Sequence, residues 1–264
     1  MNFYVLPEQA LVICWSPKCA CTAICDWLVN GVIKPPMPIK GNNRLFLRDN
    51  GYFQQADTAL PYIFDHGFTP VLFTRNPLSR VESAFLSKFV FGKNKPIASA
   101  ENLEQFTLNT INAYYGHIGY SDEYRGIALL ELLDYVADCI KNNRLDLIDH
   151  HWAPQTLAFV DETYALMKGK RFLVKQENFY HDLKNINCAL GLTYLPPHLN
   201  KTLQPSDWTN VATPDELARM HSHVIVAKKL KIAKNQLLSN AAKAAIADIF
   251  YHDFKAFSYT IPKT

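Results

Sequence analysis

What most constrains this chain is a junction it makes repeatedly, in which a short apolar run breaks at a turn and helical periodicity follows. Ala10-Leu-Val-Ile-Cys-Trp15 is an apolar run of strand length, Ser16-Pro-Lys-Cys-Ala-Cys-Thr22 interrupts it, and from Ala23 to Ile33 apolar residues recur at helical spacing. Thr69-Pro-Val-Leu-Phe-Thr74 repeats the pattern, with Arg75-Asn-Pro-Leu-Ser79 as the turn and Arg80 to Phe91 as the helix, Pro77 standing near its start. A third run, Arg171-Phe-Leu-Val-Lys175, leads through Gln176-Glu-Asn178 into a helix that extends to about Leu190 and is stopped by Gly191. Strands that alternate with helices in this way predict an α/β fold with a central, mainly parallel sheet flanked by helices.

The rest of the chain is read around those junctions. Residues 34–62, with Pro35, Pro36, Pro38, Gly41 and Gly51, read as an irregular connection carrying short strands around Leu45 to Leu47. Residues 101–149 are helix-rich, with Leu129 to Ile140 strongly apolar and Asn143 as a stop, and Pro214 to Phe257 is mainly helical, with Lys228, Lys229, Lys231 and Lys234 on a wet helix face. A length of 264 residues allows one large domain or two small ones, and a single domain over 1–264 is expected.

Composition narrows the partners. Apolar residues at 48% and charged residues at 19% are those of a folded globular chain, and a net charge of +3 is too small for a nucleic-acid coat or a polybasic membrane anchor. No run approaches 18 apolar residues, and no basic leader or cleavable apolar segment precedes Leu11, so no membrane span and a cytoplasmic location are expected. Cys14, Cys19, Cys21 and Cys25 crowd together as reduced thiols rather than spreading as a disulfide frame, and their C-x4-C-x-C-x3-C spacing matches no common metal signature, so no metal is expected.

Strand-to-helix junctions favour anionic ligands, because helix N-terminal N–H groups and the helix dipole both attract negative charge. The first offers Lys18 on the loop and the Thr22 hydroxyl at the following turn. It is not an ATP or GTP loop, since no glycine stands between Ala10 and Gly31 and the Gly-x4-Gly-Lys-Ser/Thr pattern is missing. The second offers the forked guanidinium of Arg75 and, eight residues on, the hydroxyl of Ser83. A plainer reading pairs Arg75 and Arg80 with Glu82 and other surface acids.

Taken together, Pro17-Lys-Cys-Ala-Cys-Thr22 and Arg75-Asn-Pro-x-x-Arg-x-x-Ser83 resemble the 5′-phosphosulfate and 3′-phosphate motifs of the carbohydrate sulfotransferases that include the chondroitin and dermatan enzymes. Further patches follow in family order: His151-Trp-x-Pro154, Glu177, Pro197-His-Leu-Asn-Lys-Thr202 and Tyr251-His-Asp-Phe-Lys-Ala-Phe-Ser-Tyr259. The resemblance implies a P-loop-like sulfotransferase fold and 3′-phosphoadenosine 5′-phosphosulfate (PAPS) as donor. It implies a donor-binding set of Pro17, Lys18, Cys19, Ala20, Cys21, Thr22, Arg75, Ser83 and Lys201, with Lys18 on the phosphosulfate, Thr22 and the loop amides on the 5′-phosphate, and Arg75 and Ser83 on the 3′-phosphate; Lys201 and Thr202 either close over the nucleotide as part of a loop or are simply solvated. In a loose in-line transfer Lys18 would stabilise the bridging oxygen of the leaving nucleotide, and the general base expected from the family-like patch is His151, with Trp152 as an apolar face for a sugar ring; His66, just ahead of the second strand, is second in line. Ala158-Phe-Val-Asp161 stands where the animal enzymes often carry paired cysteines, and the membrane anchor and stem of those enzymes are missing, which suggests a soluble, bacterial-type member.

The acceptor implied is a carbohydrate hydroxyl, with lipid, small-alcohol and tyrosine hydroxyls open. Two other readings compete: a nucleotide or sugar kinase, which would need ATP and magnesium, and a non-catalytic nucleotide- or glycan-binding module that keeps Arg75 and Ser83 without turnover.

Overall fold

Five strands build one sheet, whose central strands are apolar and buried on both faces. The computed structural model describes every residue except 38, 40, 93–94, 120–125, 198–203 and 264. In chain order the elements are β1 (Asn2–Leu6), β2 (Leu11–Trp15), α1 (Cys21–Trp27), α2 (Asn43–Asp49), β3 (Phe53–Gln54), α3 (Ala56–Phe64), β4 (Thr69–Thr74) and α4 (Pro77–Phe85). A small antiparallel pair, β5 (Phe91–Gly92) and β6 (Lys95–Pro96), precedes α5 (Gln105–His117), α6 (Leu129–Lys141), α7 (Val160–Lys168), β7 (Phe172–Lys175) and α8 (Phe179–Leu190). Four helices follow, α9 (Pro214–Arg219), α10 (Ser222–Ala227), α11 (Asn240–Ile249) and α12 (Tyr251–Ala256). The chain divides into two compact units, one of residues 1–76 and 159–200, the other of residues 77–158 and 201–264.

The first unit holds the sheet, in the order β3-β1-β2-β4-β7. β2 pairs in parallel with β4 and β4 with β7, while β1 runs antiparallel to both β2 and β3, so β1 alone is reversed. The register sets Ile13 beside Tyr4 and Val71, and that face, with Leu11, Trp15, Phe73 and Val174, packs against Ile24 and Trp27 of α1 and Leu183 and Ile186 of α8. Phe3, Val5, Val12, Cys14 and Leu72 alternate onto the other face and are also buried, and the Phe3 ring meets Phe159 edge-on. Strands buried on both sides read as unbroken apolar runs, which is why β2 and β4 stand out in the sequence. Trp27 keeps its polar handle satisfied in this core, donating through Nε1 to Asn187 of α8 at 2.8 Å.

Helices build the second unit. α6 places Leu129, Leu132, Leu133, Val136 and Cys139 on one buried stripe at helical spacing, and it packs against α9 and α11. Among the described residues no helix is long and apolar enough to cross a membrane.

Several expectations change. Leu45 to Leu47 lie in α2 and not in strands; the Asn42 side chain caps that helix by accepting from Arg44 N at 2.8 Å, and Leu47 is its buried residue. A three-residue apolar run carries no period by which to tell helix from strand. The helix after β4 starts at Pro77, where a missing N–H costs nothing, and both α1 and α4 end in wider π-type turns, through Ile33 and Val90. Gly191 stops α8 in the left-handed conformation, as read from the sequence. Lys228, Lys229, Lys231 and Lys234 follow α10 instead of lining a helix, since Lys229 turns left-handed (φ 49°) and Leu230 bridges to Asn210.

Candidate active site

In the sheet-bearing unit, β2 ends at Trp15 and the chain turns through Ser16–Ala20 into α1. Two residues of this loop take positive φ, Lys18 at 72° and Ala20 at 65°, a conformation that L-residues adopt only where the surroundings demand it. Cys19 N donates to Ser16 O at 3.2 Å, and the thiol of half-buried Cys21 reaches the same carbonyl at 3.7 Å, which folds the loop back on the strand end. Ala20 is the residue before α1 and offers no side-chain cap, so the first-turn amides of the helix are left to other acceptors. Alternating backbone handedness of this kind gathers N–H groups into an anion-binding concavity. Ser16 to Thr22 contains no carboxylate to oppose one.

β4 lies beside β2, and Arg75 stands just past its end. Its Nη1 donates to the Lys18 carbonyl at 2.9 Å, tying the second junction to the loop of the first. Glu177, in the turn after β7, accepts from Asn76 N at 2.9 Å, so the carboxylate anchors the backbone that carries Arg75. A further cation comes from Arg44 of α2, whose guanidinium sits 5.5 Å over the Trp15 ring. Burial pushes the Cys21 thiol up, and the Lys18 backbone together with the charges of Arg44 and Lys18 pulls against that rise. Both cations therefore act on the start of α1.

In the helical unit, His151 lies on a turn between α6 and α7. Asp149 shapes that turn: its Oδ1 accepts from His151 N at 2.8 Å and lies 2.7 Å from His151 Nδ1. Burial favours the protonated Asp149 carboxyl, but hydrogen bonds from His151 and the charges of His150 and His151 outweigh it and hold the group below the usual carboxylate range. The His151 ring stacks on Phe106 at 4.8 Å with an interplanar angle of 6°, and Trp152 is buried beside it.

A sequence model of the sulfotransferase family matches residues 1–260. The chain belongs to the sulfotransferase family. Comparison with curated proteins finds no match, and comparison with solved structures finds none. The mixed, mostly parallel sheet flanked by helices is the α/β, P-loop-like fold of a sulfotransferase, and sulfuryl transfer is the chemistry that membership supports.

The sulfotransferase brings together two of the residues singled out in the sequence, Lys18 and Arg75, both in the sheet-bearing unit. Lys18 is half-buried and Thr22 exposed; Ser83 is half-buried on α4 in the helical unit, as is the His151 turn. Lys201 and Thr202 lie outside the described residues. His66 is exposed at the end of α3, edge-on to Tyr62. Arg80 is no surface pair for Glu82: both are buried, Arg80 donating to the carbonyls of His150 and Ala153 and Glu82 accepting from Asn235 N and Leu237 N. Among the described residues, the group whose ligand atoms come within 4.8 Å of one another is Asp149, His150 and His151, and not the cysteines.

Arg44, Asp149 and Asp253 went unassigned in the sequence. Arg44 was hidden by the irregular reading of residues 34–62. Asp149 and Asp253 carried a faint signal, one standing two residues before His151 and the other inside the Tyr251–Tyr259 patch.

Proposed function

We propose that this sulfotransferase moves the sulfuryl group of PAPS onto an acceptor hydroxyl, most directly that of a carbohydrate. The observation that carries the reading is the 2.9 Å contact between Arg75 and the Lys18 carbonyl, which sets a guanidinium and an ammonium-bearing loop at the adjoining ends of two parallel strands. The donor set suits a nucleotide with anionic groups at both ends: amides of a loop turned left-handed at Lys18 and Ala20, one lysine, and one arginine fork. PAPS supplies a sulfuryl group on a nucleotide leaving group.

The residues then have distinct tasks. The Lys18 ammonium offsets the negative charge that builds on the leaving phosphate oxygen, as fixed cations do in phosphoryl transfer. The loop amides and Thr22 hold the 5′ end, and Arg75 with Ser83 holds the 3′-phosphate. His151 accepts the acceptor's hydroxyl proton. An ionised Asp149 can only accept hydrogen bonds, so Nδ1 of His151 must carry a proton, and Nε2 of the neutral ring presents its lone pair to the hydroxyl. This division of labour places His151 above His66, which has no such carboxylate contact among the described residues.

The test is a transfer screen with ³⁵S-labelled PAPS over glycans, small alcohols and tyrosine peptides, with mass spectrometry of products and calorimetry of 3′-phosphoadenosine 5′-phosphate (PAP) binding. Label on a glycan and micromolar PAP binding are expected. Absence of PAP binding would remove the donor assignment, and PAP binding without transfer to any acceptor would favour the non-catalytic module.

A further inference from the structure

Two buried ions of the helical unit take no part in the chemistry above, yet both hold the stretch that bears His151. Arg80, on α4, is 1% exposed; its Nη1 donates to Ala153 O at 2.6 Å and its Nη2 to His150 O at 2.9 Å. Asp253, on α12, is 0% exposed. Its Oδ2 accepts from Gln155 N at 2.7 Å and Gln155 Nε2 at 3.3 Å, and its Oδ1 accepts from Thr156 N and Thr156 Oγ1, both at 2.8 Å. A cation thus grips the carbonyls around His151, and an anion grips the amides just after it.

We propose that Arg80 and Asp253 are positioning residues that fix the turn carrying His151, an inference that rests on reading His151 as the base. Ions buried this deeply seldom add stability over apolar residues of similar volume, because desolvation offsets their attraction. What they impose is geometry. Any displacement of the turn would strand a guanidinium or a carboxylate among apolar side chains, so the turn has one low-energy position. That position fixes the stacking of His151 on Phe106 and hence the direction in which Nε2 points.

Conservative variants separate this role from simple stability. Arg80→Lys offers a point donor that cannot span both carbonyls, and Asp253→Asn turns an amide NH₂ toward N–H groups that need an acceptor. The His151 ring resonances, assigned by their loss in His151→Gln, report the Phe106 ring current. In both variants they are expected to move toward their values in Phe106→Leu. Turnover with labelled PAPS and the best acceptor of the screen should fall about 10–100-fold, while PAP affinity stays within about twofold of the parent. Resonances unmoved in both variants overturn the proposal. Should either variant fail to fold, Thr156→Val deletes only the hydroxyl contact on Oδ1; a smaller shift of the same sign is then expected, and an unshifted spectrum overturns the proposal by itself. Resonances that move while turnover stays parental leave the two anchors standing and remove His151 as the base.

Discussion

Nη1 of Arg75 donates to the main-chain carbonyl of Lys18 at 2.9 Å, so the side chain of one strand-to-helix junction holds the backbone of the other. This contact links two residues far apart in sequence and gives the arginine a structural task beside its proposed grip on a phosphate. Lys18 is in the left-handed region with φ 72°, and a charge-assisted hydrogen bond on its carbonyl helps to keep it there.

Arg75→Ala should therefore weaken PAP binding and loosen the loop together. Loss of a charged hydrogen bond is worth about 1.5–3 kcal/mol, or roughly a 10–150-fold rise in Kd. Calorimetry with PAP measures it, and an unchanged Kd takes Arg75 out of the donor site.

Lys18→Ala keeps the backbone hydrogen bond to Arg75 and removes only the ammonium. Turnover is expected to fall roughly 10²–10³-fold, with the circular dichroism spectrum and melting temperature close to the parent's. Parental turnover would deny Lys18 any part in the chemistry.

His151→Ala should lower turnover by about 10²–10⁴-fold with little change in PAP affinity. Asp149→Asn tests the orientation of the same ring. An asparagine can donate to Nδ1 and so favour the tautomer with its proton on Nε2, where it is useless as a base. Turnover should fall in this variant too, and retention of the parental rate would break the link between Asp149 and catalysis.

Asp149 also links stability to pH. Its carboxyl titrates below the ordinary value of 3.8, so the folded state favours the ionised form more than the unfolded chain does. The corresponding stability is fully present above that ordinary value and is lost as pH falls through the lower folded value. In Asp149→Asn the contribution is missing, so the difference in urea midpoint between parent and variant should shrink below about pH 4. A difference that is flat down to acid unfolding would contradict the assignment.

Thiol reactivity offers a further check on the loop. Burial pushes Cys14 up to about 12 and Cys25 up to about 11, the latter against an opposing hydrogen bond from Tyr4, while Cys188 is exposed. Thiols held protonated are poor nucleophiles and poor metal ligands. Iodoacetamide at pH 8 should label Cys188 first, with Cys14 and Cys25 labelled only on unfolding, as peptide mass spectrometry would show. Early labelling of Cys25 in the folded protein would mean that α1 opens.

The elements legible in the sequence are those whose burial is decided locally. β2, β4 and β7 are short apolar runs ended by polar turns, and α6 and α8 carry their buried residues at helical period, so each announces its environment without a partner. Lys18 and Arg75 stood out because they sit at junctions where backbone geometry alone favours anions. α2 was misread because Leu45 to Leu47 looks the same in either periodicity until the Asn42 cap and the burial of Leu47 choose between them.

By itself, then, the sequence determined the three strand-to-helix units of β2, β4 and β7, the two junction loops and the residue types able to meet an anion, since these follow from period, turn chemistry and charge along the chain. Only tertiary structure decided which carbonyl Arg75 would hold, that Asp149 would face His151, and that Arg80 and Asp253 would meet the same turn from α4 and α12. Those choices are made by hydrogen bonds a few ångströms long, most of them between residues distant in the chain, and a linear pattern holds no record of distances across space.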